Sequence, residues 1–193
     1  MKKSKFLYTL EYKKSLLEKF SSQEKKINEV SKIIFKSLNR GNKILLCGNG
    51  GSASDAQHLA AEFLVRLRPK INRRPIPAIT LAQDTSTITA CANDYSFNDL
   101  FSRNLEALGK KGDILIIIST SGNSKNIINV LKTSKKKKII SIGFLGKKGG
   151  QAKRFCNHYF LVPSNITARV QEVHIFLGHF IFETVEDMII KKK

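Results

Sequence analysis

Three observations predict an α/β fold: a doubly wound, parallel, five-stranded sheet flanked by helices, with an N-terminal helical extension and a long C-terminal helix. Short apolar runs alternate with helix-length stretches, as in chains that wrap a parallel sheet on both sides. Asp113-Ile-Leu-Ile-Ile-Ile118 is unbroken and β-branched, which suits a central strand covered on both faces. Two of the apolar runs end in loops rich in glycine or serine, and each loop leads into a helical pattern.

Residues 4 to 40 read as helix, because Leu16, Leu17, Phe20, Ile27, Val30, Ile34 and Leu38 recur near helical spacing. Ser21-Ser22 is expected to break this stretch in two, with Ser22 as an N-cap, and Gly41 to end it. Strands are expected at 43–47, 78–81, 113–118, 138–144 and 158–162, the last stopped by Pro163. Helices are expected at 53–66, 84–92, 97–108, 124–134, 149–155 (a short one) and 167–190. The chain divides into N-terminal helices, 1–40, assigned to oligomerisation, and a domain over 41–193; the two are expected to form one globular unit.

Hydrophobic residues make up 41% of the 193 and charged residues 25%, which argues against a disordered chain. No apolar run approaches the roughly 18 to 20 residues that cross a bilayer. The N-terminal stretch is lysine-rich, carries Glu11 and lacks the apolar centre of a secretory signal, so a cytoplasmic location is expected. Cys47, Cys91 and Cys156 are odd in number and far apart, which excludes a disulfide framework and a cysteine-based zinc module. Lys and Arg number 34 against 15 Asp and Glu, a formal charge of +19. The excess lies in scattered lysine runs (Lys2-Lys3, Lys135 to Lys138, Lys147-Lys148, Lys191 to Lys193) without interleaved aromatics, so a solvated surface is preferred to a specific nucleic-acid face. A positive field would also draw in sugar phosphates.

In parallel sheets ligands bind beyond the carboxyl ends of the strands, so the loops after Cys47 and Ile118 matter most. The first, Cys47-Gly48-Asn49-Gly50-Gly51-Ser52, opens a helix, where free N–H groups and the dipole favour an anion. Gly48, Gly50 and Ala53 fit the dinucleotide fingerprint, but no acidic residue follows about 20 positions on, so that reading is set aside. The second, Ser119-Thr120-Ser121-Gly122-Asn123-Ser124, offers four hydroxyls and a helix N-terminus but no Walker lysine. Either loop alone could be a capped turn. Two such loops at strand ends of one domain point to a phosphorylated ligand.

The segments CGNGGSASDAQHLAAEF, ANDYSFNDLFSR, GDILIIISTSGNS and ARVQEVHIFLGH together resemble the phosphoheptose isomerase family, which is built on a SIS (sugar isomerase) domain. The resemblance covers about residues 15 to 190. It implies conversion of D-sedoheptulose 7-phosphate to D-glycero-D-manno-heptose 7-phosphate, a step toward activated heptose for lipopolysaccharide or capsule. It further implies substrate contacts from Asn49, Gly50, Gly51, Ser52, Asn93, Asp94, Ser119, Thr120, Ser121 and Ser124, with Glu62 and Gln171 also touching substrate. Glu62 and His179 match the family's acid/base pair, and His58, Glu62, Gln171 and His179 its metal ligands, with one Zn2+ per subunit. Ala168 stands where some members carry Asp, which puts any role of that carboxylate in doubt. The family is similar to a homotetramer with active sites at subunit interfaces.

Moving a proton between C1 and C2 through an enediol(ate) needs a base near carbon, a proton donor near the carbonyl oxygen and a site for developing charge. Glu62 suits the base, and His179 a relay near neutral pH. His58 and Glu62 at i, i+4 share a helix face, which suits a metal and equally an ordinary surface pair. Gln171 and His179 lie eight residues apart, about 12 Å along a helix and about 80° round it. Either Gln171 sits at an irregular helix start, or different subunits supply the two. His174 is expected to be structural or supporting, and His158 an ordinary surface or core histidine. Two non-catalytic readings stand beside the enzyme: a SIS protein that binds the replication initiator, and a sugar-phosphate sensor. The presence of His179 favours the enzyme.

Overall fold

The computed structural model describes residues 4–82 and 84–191. Lys2-Lys3, Lys192 and Lys193, which belong to the charged runs above, lie outside the described residues. In chain order the elements are α1 (Lys5–Phe20), α2 (Glu24–Asn39), β1 (Ile44–Gly48), α3 (Gly51–Leu64), β2 (Ala78–Thr80), α4 (Thr85–Asp94), α5 (Leu100–Leu108), β3 (Ile114–Ser119), α6 (Lys125–Lys136), β4 (Ile140–Gly146), β5 (His158–Val162) and α7 (Thr167–Lys191). The sheet order is β2-β1-β3-β4-β5, and every pairing is parallel.

Strand side chains alternate between two apolar layers, which is why the runs are apolar throughout. Ile44 and Leu46 of β1, with Ile114, Ile116 and Ile118 of β3, join α1, α2, α3 and α7 in one core. Leu45, Cys47, Leu115 and Ile117 point the other way, into a core with α5 and α6. Helix α2 buries Ile27, Val30, Ile34 and Leu38 as one stripe in the first core.

The expected elements are present, and their edges differ in instructive ways. Ser22 does not cap α2: its Oγ donates back to the Lys19 carbonyl, and Ser21 Oγ to that of Glu18. Phe20 and α2 are instead joined by a single 3-10 turn over Ser21–Gln23, and Gln23 precedes α2 without a side-chain cap. Gly41 ends the segment with φ of 76° as expected. The helix expected at 149–155 shrinks to a 3-10 turn over Ala152–Arg154. The three cysteines are free thiols, and no described helix is long and apolar enough to cross a membrane. His158 opens β5 half-buried, its pKa lowered by burial and by the nearby Lys26.

Candidate active site

Strand order reverses between β1 and β3, and a crevice opens there beyond their carboxyl ends. The glycine loop 48–52 and the serine loop 119–124 are the loops that leave these two strands. An amide pair ties them together: Asn49 Nδ2 donates to Asn126 Oδ1, and Asn126 Nδ2 to Asn49 Oδ1, both at 3.0 Å. Asn126 is buried, so this link is shielded from water.

Helices α3 and α7 lie side by side in the same direction. Gly178 lets them approach, because a Cβ there would run into the Leu59 side chain. That approach brings His58 beside His179, 121 residues away, with their Nε2 atoms 2.8 Å apart. Glu62 Oε1 lies 3.3 Å from His58 Nε2. Ligand-capable atoms of His58, Glu62 and His179 all fall within 4.8 Å of one another, and His58 is exposed. Two imidazoles and a carboxylate converging on one point form a donor set suited to a divalent cation such as zinc.

Gln171 stands apart from this group. It is inside the regular part of α7, and its side chain lies over Gly51, where a Cβ would collide with Nε2. Gly51 is seven residues before His58 on α3, about 10 Å along the axis. Of the two alternatives for Gln171, an irregular helix start is therefore not what the chain adopts.

Asp55 is a site residue that the sequence reading missed. Burial raises its carboxyl pKa, with His58 and His179 pulling the other way, and its Oδ2 is buried without a partner. Its position three residues before His58, on the same face of α3, was the available signal. A second missed feature is the frame beneath Glu62. Arg73 donates to the Glu62 and Phe63 carbonyls at 2.7 and 3.0 Å, holding the last turn of α3, while its Nε bonds the fully buried Glu186 of α7. Arg68 bonds the other Glu186 oxygen at 2.6 Å.

The serine loop is internally braced. Ser119 Oγ accepts from Gly122 N at 3.0 Å and Ser121 Oγ from Asn123 N at 3.2 Å, and each hydroxyl keeps its proton to donate. Ser124 precedes α6 without using its side chain as a cap. A cavity of about 400 Å³ opens beside Thr120 and Ser121. Ser52 is buried in the first turn of α3. Asn93 and Asp94 are exposed at the end of α4 and bond each other at 2.8 Å, with no hydrogen bond to either loop among the described residues. His174 is wholly buried with neither ring nitrogen paired; burial pushes its pKa down to about 4, which the nearby Leu145 backbone offsets only in part.

A parallel five-stranded sheet with a serine-rich loop after its central strand defines a SIS domain, and the SIS domain family model matches residues 8–146. The chain is 48% identical to the phosphoheptose isomerase of Clostridium acetobutylicum over 86% of this chain and 84% of that one. It is 50% identical to that of Thermodesulfovibrio yellowstonii over 84% and 80%. The solved phosphoheptose isomerase of Francisella tularensis superposes with a TM-score of 0.90 at 31% identity, covering 95% of this chain and 97% of that one. The chain belongs to the phosphoheptose isomerase family, within the SIS domain proteins.

Proposed function

We infer that this chain is an aldose–ketose isomerase that converts D-sedoheptulose 7-phosphate to D-glycero-D-manno-heptose 7-phosphate in the cytoplasm. The observation that carries the reading is the convergence of His58, Glu62 and His179, from two different helices, on one point. Hydroxyls of Ser119, Thr120, Ser121 and Ser124, with the N-terminus of α6, bind the phosphate and so fix where the other end of the sugar lies. Asn49 to Ser52, Asn93 and Asp94 bind the sugar hydroxyls. Glu62 takes the proton from one of C1 and C2 and returns it to the other. His179 moves the proton between the two oxygens as the enediol(ate) forms and collapses.

His58, Glu62 and His179 would hold a zinc ion, one per subunit, and it would supply Lewis-acid polarisation of the carbonyl oxygen. Gln171, too far along α7 to join them in its own subunit, serves the site of a neighbouring subunit, both as a ligand and against the substrate. A shared site fits the homotetramer that the family resemblance implies. Exposed Phe6, Leu7, Tyr8 and Leu10 on α1, and Phe176 and Phe180 on α7, supply apolar surface for its interfaces and give residues 1–40 their assembly role. The product would feed activated heptose for surface polysaccharide, lipopolysaccharide or capsule. No observation favours the initiator-binding or sensor readings.

Incubation of the purified protein with sedoheptulose 7-phosphate, followed by NMR, tests this. The aldose should form, formation should stop with a chelator, and zinc should restore it. A ketose left unchanged by zinc-loaded protein would sink the reading.

A further inference from the structure

The hydroxyls and amides of the serine loop are neutral, whereas a sugar phosphate carries close to two negative charges at pH 7. The balancing charge comes from an unexpected place. The cavity beside Thr120 and Ser121 is also lined by Lys147 and Lys148, with Ser164, Asn165 and Thr167 at the start of α7, and its lining holds no acidic residue. Neither ammonium has an ion-pair or hydrogen-bond partner among the described residues.

The two lysines are held over the serine loop by their backbone. Their turn is closed by Gly149 N donating to the Gly146 carbonyl at 2.9 Å. It is then fastened to the serine loop twice: Gln151 N donates to Asn123 Oδ1 at 3.0 Å, and Ala152 N to the Gly122 carbonyl at 2.9 Å. Gly146 and Gly122 allow this closeness, because a Cβ on either would overlap a carbonyl oxygen of the facing segment, Thr120 or Gly149. The turn is thus fixed, while the lysine side chains are exposed at the cavity mouth. The N-terminus of the 25-residue α7 adds its positive end to the same space.

We propose that Lys147 and Lys148 are phosphate-positioning residues, which balance the substrate's dianion and set the preference for a phosphorylated sugar; this rests on the isomerase reading above. The phosphate's charge does not change during proton transfer at C1 and C2, and the serine loop still fixes its place, so the lysines add the same binding to the ground and transition states. Their loss raises KM and leaves kcat alone.

The test uses K147M, K148M, the double variant, K147R/K148R, and K136M as a control of equal charge at the exposed end of α6. Each single change should raise KM for sedoheptulose 7-phosphate about tenfold and the pair about a hundredfold, with kcat within about twofold. The arginine pair should recover most of the loss, and K136M should behave as wild type. Calorimetric titration with inorganic phosphate should show the same order. A double variant whose KM moves no more than that of K136M overturns the proposal. If the wild type turns nothing over, the isomerase reading fails, and the phosphate titration alone decides on the lysines. Weaker phosphate binding by the double variant than by wild type and K136M then supports them. Equal binding, or none by the wild type, overturns them.

Discussion

The wall formed by α3 and α7 carries His58, Glu62 and His179 on helices locked together by buried contacts, whereas a second wall, at the end of β3, presents Ser119, Thr120 and Ser121 on a loop braced by its own backbone. The first wall concentrates ionisable groups. Phe63 stacks on Phe182 at 3.7 Å below them, and Glu186 anchors two arginines. The second offers neutral donors, with its cations on a separate turn. The difference matches what the two ends of the proposed substrate would require. Proton transfer needs groups that change charge at a set distance, so their helices must not shift. A phosphate needs many donors and a positive field, which hydroxyls, amides and mobile lysines supply over a wider range of positions.

If that contrast is right, damage to the first wall should appear in kcat and damage to the second in KM. The largest effect is expected from Glu62→Gln, which should lower kcat by about 10²- to 10⁴-fold with an unchanged thermal midpoint. Steady-state rates with calorimetry check it, and a Glu62→Gln enzyme with near wild-type kcat would break the comparison. Next comes the frame. Glu186→Ala strands buried Arg73 and should cost about 3–5 kcal/mol in urea unfolding. A loss below about 1 kcal/mol would mean the helices are held by packing alone.

The third expectation concerns His174 at the base of the same helix. Its folded pKa of about 4 lies below the ordinary 6.5, so between these values the unfolded chain binds a proton that the folded chain refuses. The contribution of His174 to stability is therefore constant above about pH 6.5 and falls as pH drops toward 4, by an amount on the order of 3 kcal/mol. His174→Leu should flatten that part of the stability–pH profile, measured by urea unfolding at several pH values; an unchanged slope would refute it. The smallest effects belong to the second wall. Ser119→Ala or Ser121→Ala should each raise KM about tenfold or less and leave kcat nearly constant, as initial-rate kinetics would show.

Much of this was legible from sequence because it is local. A β-branched run such as 113–118 can be buried on both faces only in a parallel sheet, and the loops after β1 and β3 lie at its switch point by topology alone. His58 and Glu62 share a face of one helix by spacing. Ser22 misled because a hydroxyl can bond backward to a carbonyl as readily as forward to an amide, and the choice depends on how α1 runs into α2.

What the residue order determined by itself was the α/β class, the two anion loops and the family, since periodicity and contiguous motifs follow from chain spacing. Only the tertiary structure decided that His179 meets His58 while Gln171 lies over Gly51, that Arg73 ties the end of α3 to Glu186, and that Lys147 and Lys148 share a cavity with the serine loop. Those juxtapositions join residues from about 25 to 120 positions apart, and they exist because packing α7 along α3 and fastening the β4 turn to the serine loop bury apolar surface and satisfy backbone donors that no local rule specifies.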